Sequence, residues 1–164
     1  MNQSIKVEKT VTIDKPTAEL YRFWRHFENL PRFTRHLKDV RVSNDKRSHW
    51  ITSGLLDGTI EWDAEIIDDR PNELIAWKSV ANADVDNAGS VQFKPAPGDR
   101  GTEVKVVTVY NPPAGVIGDA ISKLFGENPK QQIGDDLARF KMLMEAGEIA
   151  TNDGQLSGRR NSKD

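Results

Sequence analysis

The stretch Val7 to Phe33, VEKTVTIDKPTAELYRFWRHFENLPRF, changes its hydrophobic period partway along, and that change decides the fold. Over Ile5 to Asp14 the apolar residues Ile5, Val7, Val11 and Ile13 alternate with Lys6, Glu8, Thr10, Thr12 and Asp14, the period-two pattern of a strand with one buried face. Asp14-Lys15-Pro16 then supplies a stop and a proline suited to a first helical turn. Ala18, Leu20, Tyr21, Phe23, Trp24 and Phe27 follow at helical spacing, which predicts a helix of about 12 residues. A proline disfavours helical geometry in the residue before it, so Asn29-Leu30-Pro31 is expected to end this helix. Phe33 and Leu37, four apart, are expected to sit on a second short helix.

Downstream the pattern is that of strands: Val40–Val42, Trp50–Leu56, Ile60–Ile67, Leu74–Val80, Ser90–Phe93 and Val104–Tyr110. The connections carry turn residues at Asn44-Asp45, Asp57-Gly58, Arg70-Pro71-Asn72, Asp84 to Gly89 and Pro95 to Gly101. Such short gaps favour antiparallel hairpins over helical crossovers. Counting by twos places Trp50, Thr52, Gly54, Leu56, Trp62, Ala64, Ile66, Ile75, Trp77, Val91, Phe93, Val104, Val106, Thr108 and Tyr110 on an inner face, with Gly54 a candidate bend. Glu61, Asp63, Glu65, Lys78, Gln92, Lys94, Glu103 and Lys105 fall on the opposite, wet face. After Asn111-Pro112-Pro113 the helical period returns, and Ile133, Leu137, Phe140, Leu143 and Met144 predict a long helix from about Pro129 to about Ala146, capped by Asn128 and ended by Gly147. The order strand, two short helices, six strands, long helix is an α+β fold. Residues 1–148 are read as one domain and 149–164 as a flexible polar tail.

The 164 residues contain no cysteine, which removes disulfide scaffolds, zinc-thiolate sites, iron-sulfur clusters and cysteine nucleophiles. No apolar run is long enough to span a bilayer and the start lacks a signal-peptide core, so a soluble, cytoplasmic protein is expected. The net charge of −2 hides an uneven layout. Between Arg22 and Arg47 eight cationic residues face three acids, whereas from Asp57 to Glu103 eleven acids face four cations. The basic stretch suits an anionic partner such as RNA or an acidic membrane, but exposed charge mainly keeps proteins soluble, and no aromatic stacking module accompanies it. No nucleic-acid partner is therefore expected.

The histidines give no metal site: His26 and His36 are ten apart across a proline, and His49 has the parity of the wet face. Glu61, Asp63 and Glu65 share that face, so paired-carboxylate catalysis is not expected, and Asp68, Asp69 and Arg70 read as surface ion pairing. Neither a G-x-S-x-G elbow nor a glycine-rich phosphate loop is present. No cofactor is implied. The aromatic inner face describes either a small-molecule pocket or an ordinary core.

Three stretches carry a family resemblance. Val7–Phe33, the hairpin WDAEIIDDRPNELIAWKS (Trp62–Ser79) and the run GTEVKVVTVYNPP (Gly101–Pro113), with FGENPKQQIGDDLARFKMLMEAGE after it, are similar to the START-like helix-grip superfamily (SRPBCC). The likeness is to its polyketide cyclase/dehydrase and coenzyme Q-binding branch, and it covers about Val7 to Glu148. It implies a curved seven-stranded antiparallel sheet wrapped around a long C-terminal helix, enclosing a cavity for a polyketide, isoprenoid quinone or lipid. Trp62, Trp77, Phe93, Tyr110 and Phe140 would line that cavity. The alternative is an aromatase/cyclase in which Tyr110 or Thr108 relays protons. The segment from Pro113 to Phe125, with the apolar row Val116, Ile117, Ile121, Leu124 and Phe125, reads as a movable lid, a membrane-touching edge or a helix start packed on the sheet rim.

Overall fold

The computed structural model describes residues 5–35, 37–53, 59–81, 83, 85–111 and 129–147. Strand β1 (Ile5–Ile13) leads into helix α1 (Thr17–Arg25), and a 3-10 helix (Phe27–Arg32) follows. Six strands come next: β2 (Leu37–Val42), β3 (Arg47–Ser53), β4 (Thr59–Arg70), β5 (Leu74–Ser79), β6 (Asp86–Pro95) and β7 (Thr102–Asn111). Helix α2 (Pro129–Ala146) closes the described chain.

All seven strands form one antiparallel sheet in the order β1-β7-β6-β5-β4-β3-β2. Consecutive strands β1 and β2 therefore lie at opposite edges, and α1 with the 3-10 helix spans the width between them. Alternation decides which face is inner. Along β4 the residues Ile60, Trp62, Ala64 and Ile66 are buried while Glu61, Asp63 and Ile67 are exposed. This is the helix-grip architecture, with a sheet curved about its C-terminal helix. The register slips at Leu37/Asp39 and at Ile66/Asp68. Such bulges bend a strand and increase its twist, so these positions supply curvature. Gly54, Leu56 and the turn at Asp57-Gly58 lie outside the described residues, as do Asn128 and the tail 149–164.

Three local expectations need correction. Helix α1 ends at Arg25, and the second short helix runs through Pro31 instead of starting after it. The turns on either side of the proline are closed by other amides, Asn29 N–H to the His26 carbonyl at 2.8 Å and Phe33 N–H to the Leu30 carbonyl at 3.1 Å, so the missing Pro31 N–H is tolerated in so short an element. Leu37 opens β2 accordingly. The segment assigned to a turn from Asp84 to Gly89 is already strand from Asp86, because Asp86, Asn87, Ala88 and Gly89 pair with Asn111, Tyr110, Val109 and Thr108 of the neighbouring strand. Polar and glycine residues are unfavourable there by propensity, and pairing with β7, joined from Ala88 onward by pairing with β5, overrides it.

Helix α2 is fastened along β1. Lys141 Nζ donates to the Thr12 carbonyl at 2.6 Å, and the Asp14 amide donates to Glu145 Oε2 at 2.8 Å. The latter bond, with help from Lys141, holds the Glu145 carboxyl below the usual range. The helix ends as expected at Gly147, whose φ of 82° carries its amide to the Leu143 carbonyl at 2.9 Å. At the same end of β1, Gly101 has φ 100°, and a Cβ there would stand 2.1 Å from the Ile13 carbonyl oxygen. Beside it the Thr102 hydroxyl donates to the Lys15 carbonyl at 2.7 Å. Gly101→Ala is expected to cost about 2 kcal/mol or more from backbone strain and overpacking, lowering Tm by about 5 °C in a thermal melt followed by circular dichroism.

Candidate functional site

The site is built from aromatic rings at two levels, with one ring between them. On the sheet, Trp50 stacks between Trp62 and Trp77, at 5.8 Å and 29° to the first and 6.0 Å and 30° to the second. Cross-strand pairing imposes the first contact, since Trp50 is opposite Trp62 on β3 and β4, whereas the second reaches over β4 to β5, where Trp77 is paired with Ile66. Trp77 lies over Gly89, its pairing partner on β6, where a Cβ would come within 2.7 Å of the indole. On the helix side, Phe140 of α2 meets Phe33 at 4.8 Å and Trp24 of α1 at 5.1 Å, and Trp24 meets Phe33 at 5.1 Å. Phe27 bridges the levels, edge-on to Trp50 at 5.6 Å and to Trp77 at 5.5 Å.

Between these levels remains a cavity with about 100 Å³ of free volume. All four tryptophans of the chain line it, together with Thr52, Thr108 and Tyr110 of the sheet and Ile133, Asp136 and Leu137 of α2. Partly exposed Thr34, Leu37, Asn87 and Ala88 complete its margin. Of the five residues expected to line a pocket, Trp62, Trp77 and Tyr110 do so. Phe93 and Phe140 do not: they are spent on the solid aromatic core, Phe93 against Tyr21 and Trp24, and Phe140 against Phe33, Trp24 and Phe23. The lid residues Val116, Ile117, Ile121, Leu124 and Phe125 lie outside the described residues.

The walls carry few polar groups. Burial pushes the Tyr110 phenol well up, and the neighbouring Thr108 hydroxyl works against that shift, so Tyr110 is neutral at physiological pH. Trp24 Nε1 and Trp62 Nε1 are buried without a hydrogen-bond partner among the described residues, whereas Trp50 Nε1 donates to Ser48 Oγ at 2.8 Å.

Asp136 is the group the sequence reading missed. It is only 4% exposed. Its Oδ1 accepts from Arg139 Nη2 and from the Arg35 backbone amide at 3.3 Å, while Arg139 Nε donates to the Phe33 carbonyl at 2.9 Å. Loss of solvation raises its pKa to about 6, against the opposing pull of Arg139. The signal was present in the sequence: Asp136 stands between Ile133 and Phe140 on the apolar stripe of α2, where a carboxylate has no place in a simple core. Trp24 was legible only as a helix-face aromatic.

The other candidates lie elsewhere. His49 is on the outer face as expected, but it is held there: Nδ1 and Nε2 donate to Asp63 Oδ1 at 2.7 Å and Glu61 Oε1 at 2.8 Å, and these bonds raise its pKa. His26 Nδ1 donates to the Arg22 carbonyl at 2.9 Å, and His36 lies outside the described residues. Among the described residues no group of three or more His, Asp or Glu is arranged to hold a metal. Arg70 pairs with Asp68 at 3.4 Å, while Asp69 instead receives Arg25 Nε at 2.8 Å and the Tyr21 hydroxyl at 2.5 Å. The basic stretch is thus partly neutralised within the fold, since Arg41 also pairs with Asp39 at 2.9 Å. No helix among the described residues is long and apolar enough to cross a membrane.

Residues 13–138 match the family described as polyketide cyclase / dehydrase and lipid transport, well over half of the chain. The chain belongs to this family. A curated relative from Streptomyces lincolnensis, an uncharacterized 17.2 kDa protein in the melC2-rnhH intergenic region, is 31% identical over 144 residues, 85% of this chain and 89% of that protein. The crystal structure of DR_A0006 from Deinococcus radiodurans superposes with a TM-score of 0.73 at 42% identity, covering 87% of this chain and 98% of that one. A START superfamily protein from Mycobacterium smegmatis shares the fold, with a TM-score of 0.61 at 15% identity and coverage of 87% and 95%.

The environment of Asp136 has a direct consequence. Following the side-chain carboxyl carbon by NMR across a pH series should give a midpoint near 6, against about 3.9 for an ordinary aspartate. A midpoint at or below the ordinary value would show that the pull of Arg139 and the Arg35 amide outweighs the loss of solvation.

Proposed function

We propose that the protein binds a small hydrophobic molecule, one end of which enters the cavity between the concave sheet face and α2. The observation that carries this reading is the convergence of all four tryptophans on one cavity with buried indole N–H groups at Trp24 and Trp62. Aromatic walls with a few placed polar groups are what a small-molecule site requires. Desolvated N–H groups are costly unless they meet an acceptor, so a ligand end bearing a carbonyl oxygen fits best. A quinone ring or a polyketide meets that requirement directly; among lipids, one with an acyl carbonyl does. The free volume of about 100 Å³ is below that of an engineered cavity of about 150 Å³ that admits benzene. Either the walls give slightly or only the head of a longer molecule is enclosed.

Because every tryptophan lines the cavity, intrinsic fluorescence reads occupancy without a label. Titration with a panel of a short-chain quinone, a fatty acid and a polyphenol should produce saturable quenching with at least one of them. No change in intensity or wavelength across the panel would overturn the binding reading.

A second reading, cyclase/dehydrase chemistry, is supported by Tyr110 and Thr108 standing together on the cavity wall. With its pKa raised by burial, Tyr110 would serve as a neutral proton donor to a substrate carbonyl, not as a base. Mass spectrometry of a bound poly-ketone after incubation separates the two readings: a carrier returns it unchanged, and an enzyme yields a dehydrated or ring-closed product. In the second case Tyr110→Phe should slow product formation by about 100-fold.

A further inference from the structure

The hydrogen bonds of Asp136 are lopsided. Both of its described donors, Arg139 Nη2 and the Arg35 amide, go to Oδ1, and Oδ2 receives none from a described residue. Arg139 is itself fixed by the Phe33 carbonyl, so the carboxyl is held from two sides with one oxygen left over on a residue that lines the cavity. A carboxylate oxygen in an apolar space with no donor is costly, and a donor supplied to it there forms a strong, charge-assisted bond.

We propose that Asp136 selects the ligand, its Oδ2 accepting a hydrogen bond from a hydroxyl group on the end of the molecule that enters the cavity. This rests on the binding reading above and adds to it a requirement for a donor. A hydroxyl suits the site better than an ammonium group for two reasons. Arg139 already compensates the charge of Asp136, so a second buried cation would lack a partner. The stacking of Trp50 between Trp62 and Trp77 also turns indole faces toward one another, leaving fewer of the electron-rich faces that attract cations. A hydroxyl on Oδ2 and a carbonyl near the indole N–H groups make a complementary pair of recognition points.

The test compares three one-ring probes, p-cresol, toluene and benzylamine, by their effect on the four indole N–H resonances of the full-length protein. Without a partner for its hydroxyl, p-cresol would bind more weakly than toluene, because it gives up more hydration. The wild type should therefore bind p-cresol at least as tightly as toluene and bind benzylamine worst. In Asp136→Leu the ratio of p-cresol to toluene affinity should fall about tenfold or more, the range for a hydrogen bond to a charged group. A wild type that prefers toluene or benzylamine, or a variant that keeps the wild-type ratio, would overturn the role of Asp136 and leave the binding reading standing. Failure of all three probes to shift any indole signal would instead remove the binding reading, and this one with it.

A second measurement needs no variant. Ionisable groups reaching Asp136 are Arg139 and Asp135 on α2 and Tyr110 on β7, with Arg35 contributing its backbone amide. Since the carboxyl gains its proton at a pH of about 6, the preference for p-cresol over toluene should shrink between pH 7.5 and pH 5, when the bond loses its charge assistance. A preference that stays constant over that range counts against the proposal.

Discussion

The contact on which the rest of the structure depends is the aromatic junction of Trp24, Phe33 and Phe140. It joins α1 and the residue after the 3-10 helix, which are close in sequence, to the middle of α2, which is more than a hundred residues away. Aromatic rings are large and rigid, so this junction fills one part of the space beneath the sheet completely and acts as a strut. A layer of leucines could collapse inward. The rings hold α2 at a distance from the indole stack of β3, β4 and β5, and the remaining gap is the cavity.

The same junction explains why polar groups are tolerated inside. Arg139 reaches the Phe33 carbonyl, left over at the end of the 3-10 helix, and in doing so brings its guanidinium against Asp136. The carbonyl gains a donor, the arginine gains a counter-ion, and the carboxylate is compensated, so a charged pair sits at the edge of an apolar space without an isolated charge. Tyr110 and Thr108 face it from β7, so the polar groups are supplied by both the sheet and the helix.

On the outer face the logic is different. His49 bridges Asp63 and Glu61 of the adjacent strand, and Glu8 receives Lys105 at 2.8 Å across the β1–β7 pair. These are solvent-exposed pairings between neighbouring strands, the ordinary means by which an antiparallel sheet orders its wet side. These side chains are far more exposed than the 4%-exposed Asp136, which is why Asp136 rather than His49 carries the recognition argument.

Alternation and its change to a helical period were legible in the sequence because they are local: each depends only on neighbours two, three or four residues away. That was enough to assign seven strands, the long helix from Pro129 to Ala146 and the inner face holding Trp50, Trp62, Trp77 and Tyr110, while the family came from the likeness of three particular stretches. Local patterns could not show that Phe93 and Phe140 are consumed in solid packing while Trp24 and Trp50 reach the cavity, since all four are large aromatics on buried faces. That division depends on where α1 and α2 cross the sheet, which is a matter of contacts between residues far apart in the chain, such as Trp24 with Phe93 and Trp24 with Phe140. Asp136 shows the boundary most clearly. Its place on an apolar stripe is written in the sequence, but the partner that neutralises it, the amide that orients it and the empty space beside it exist only once the helix is docked.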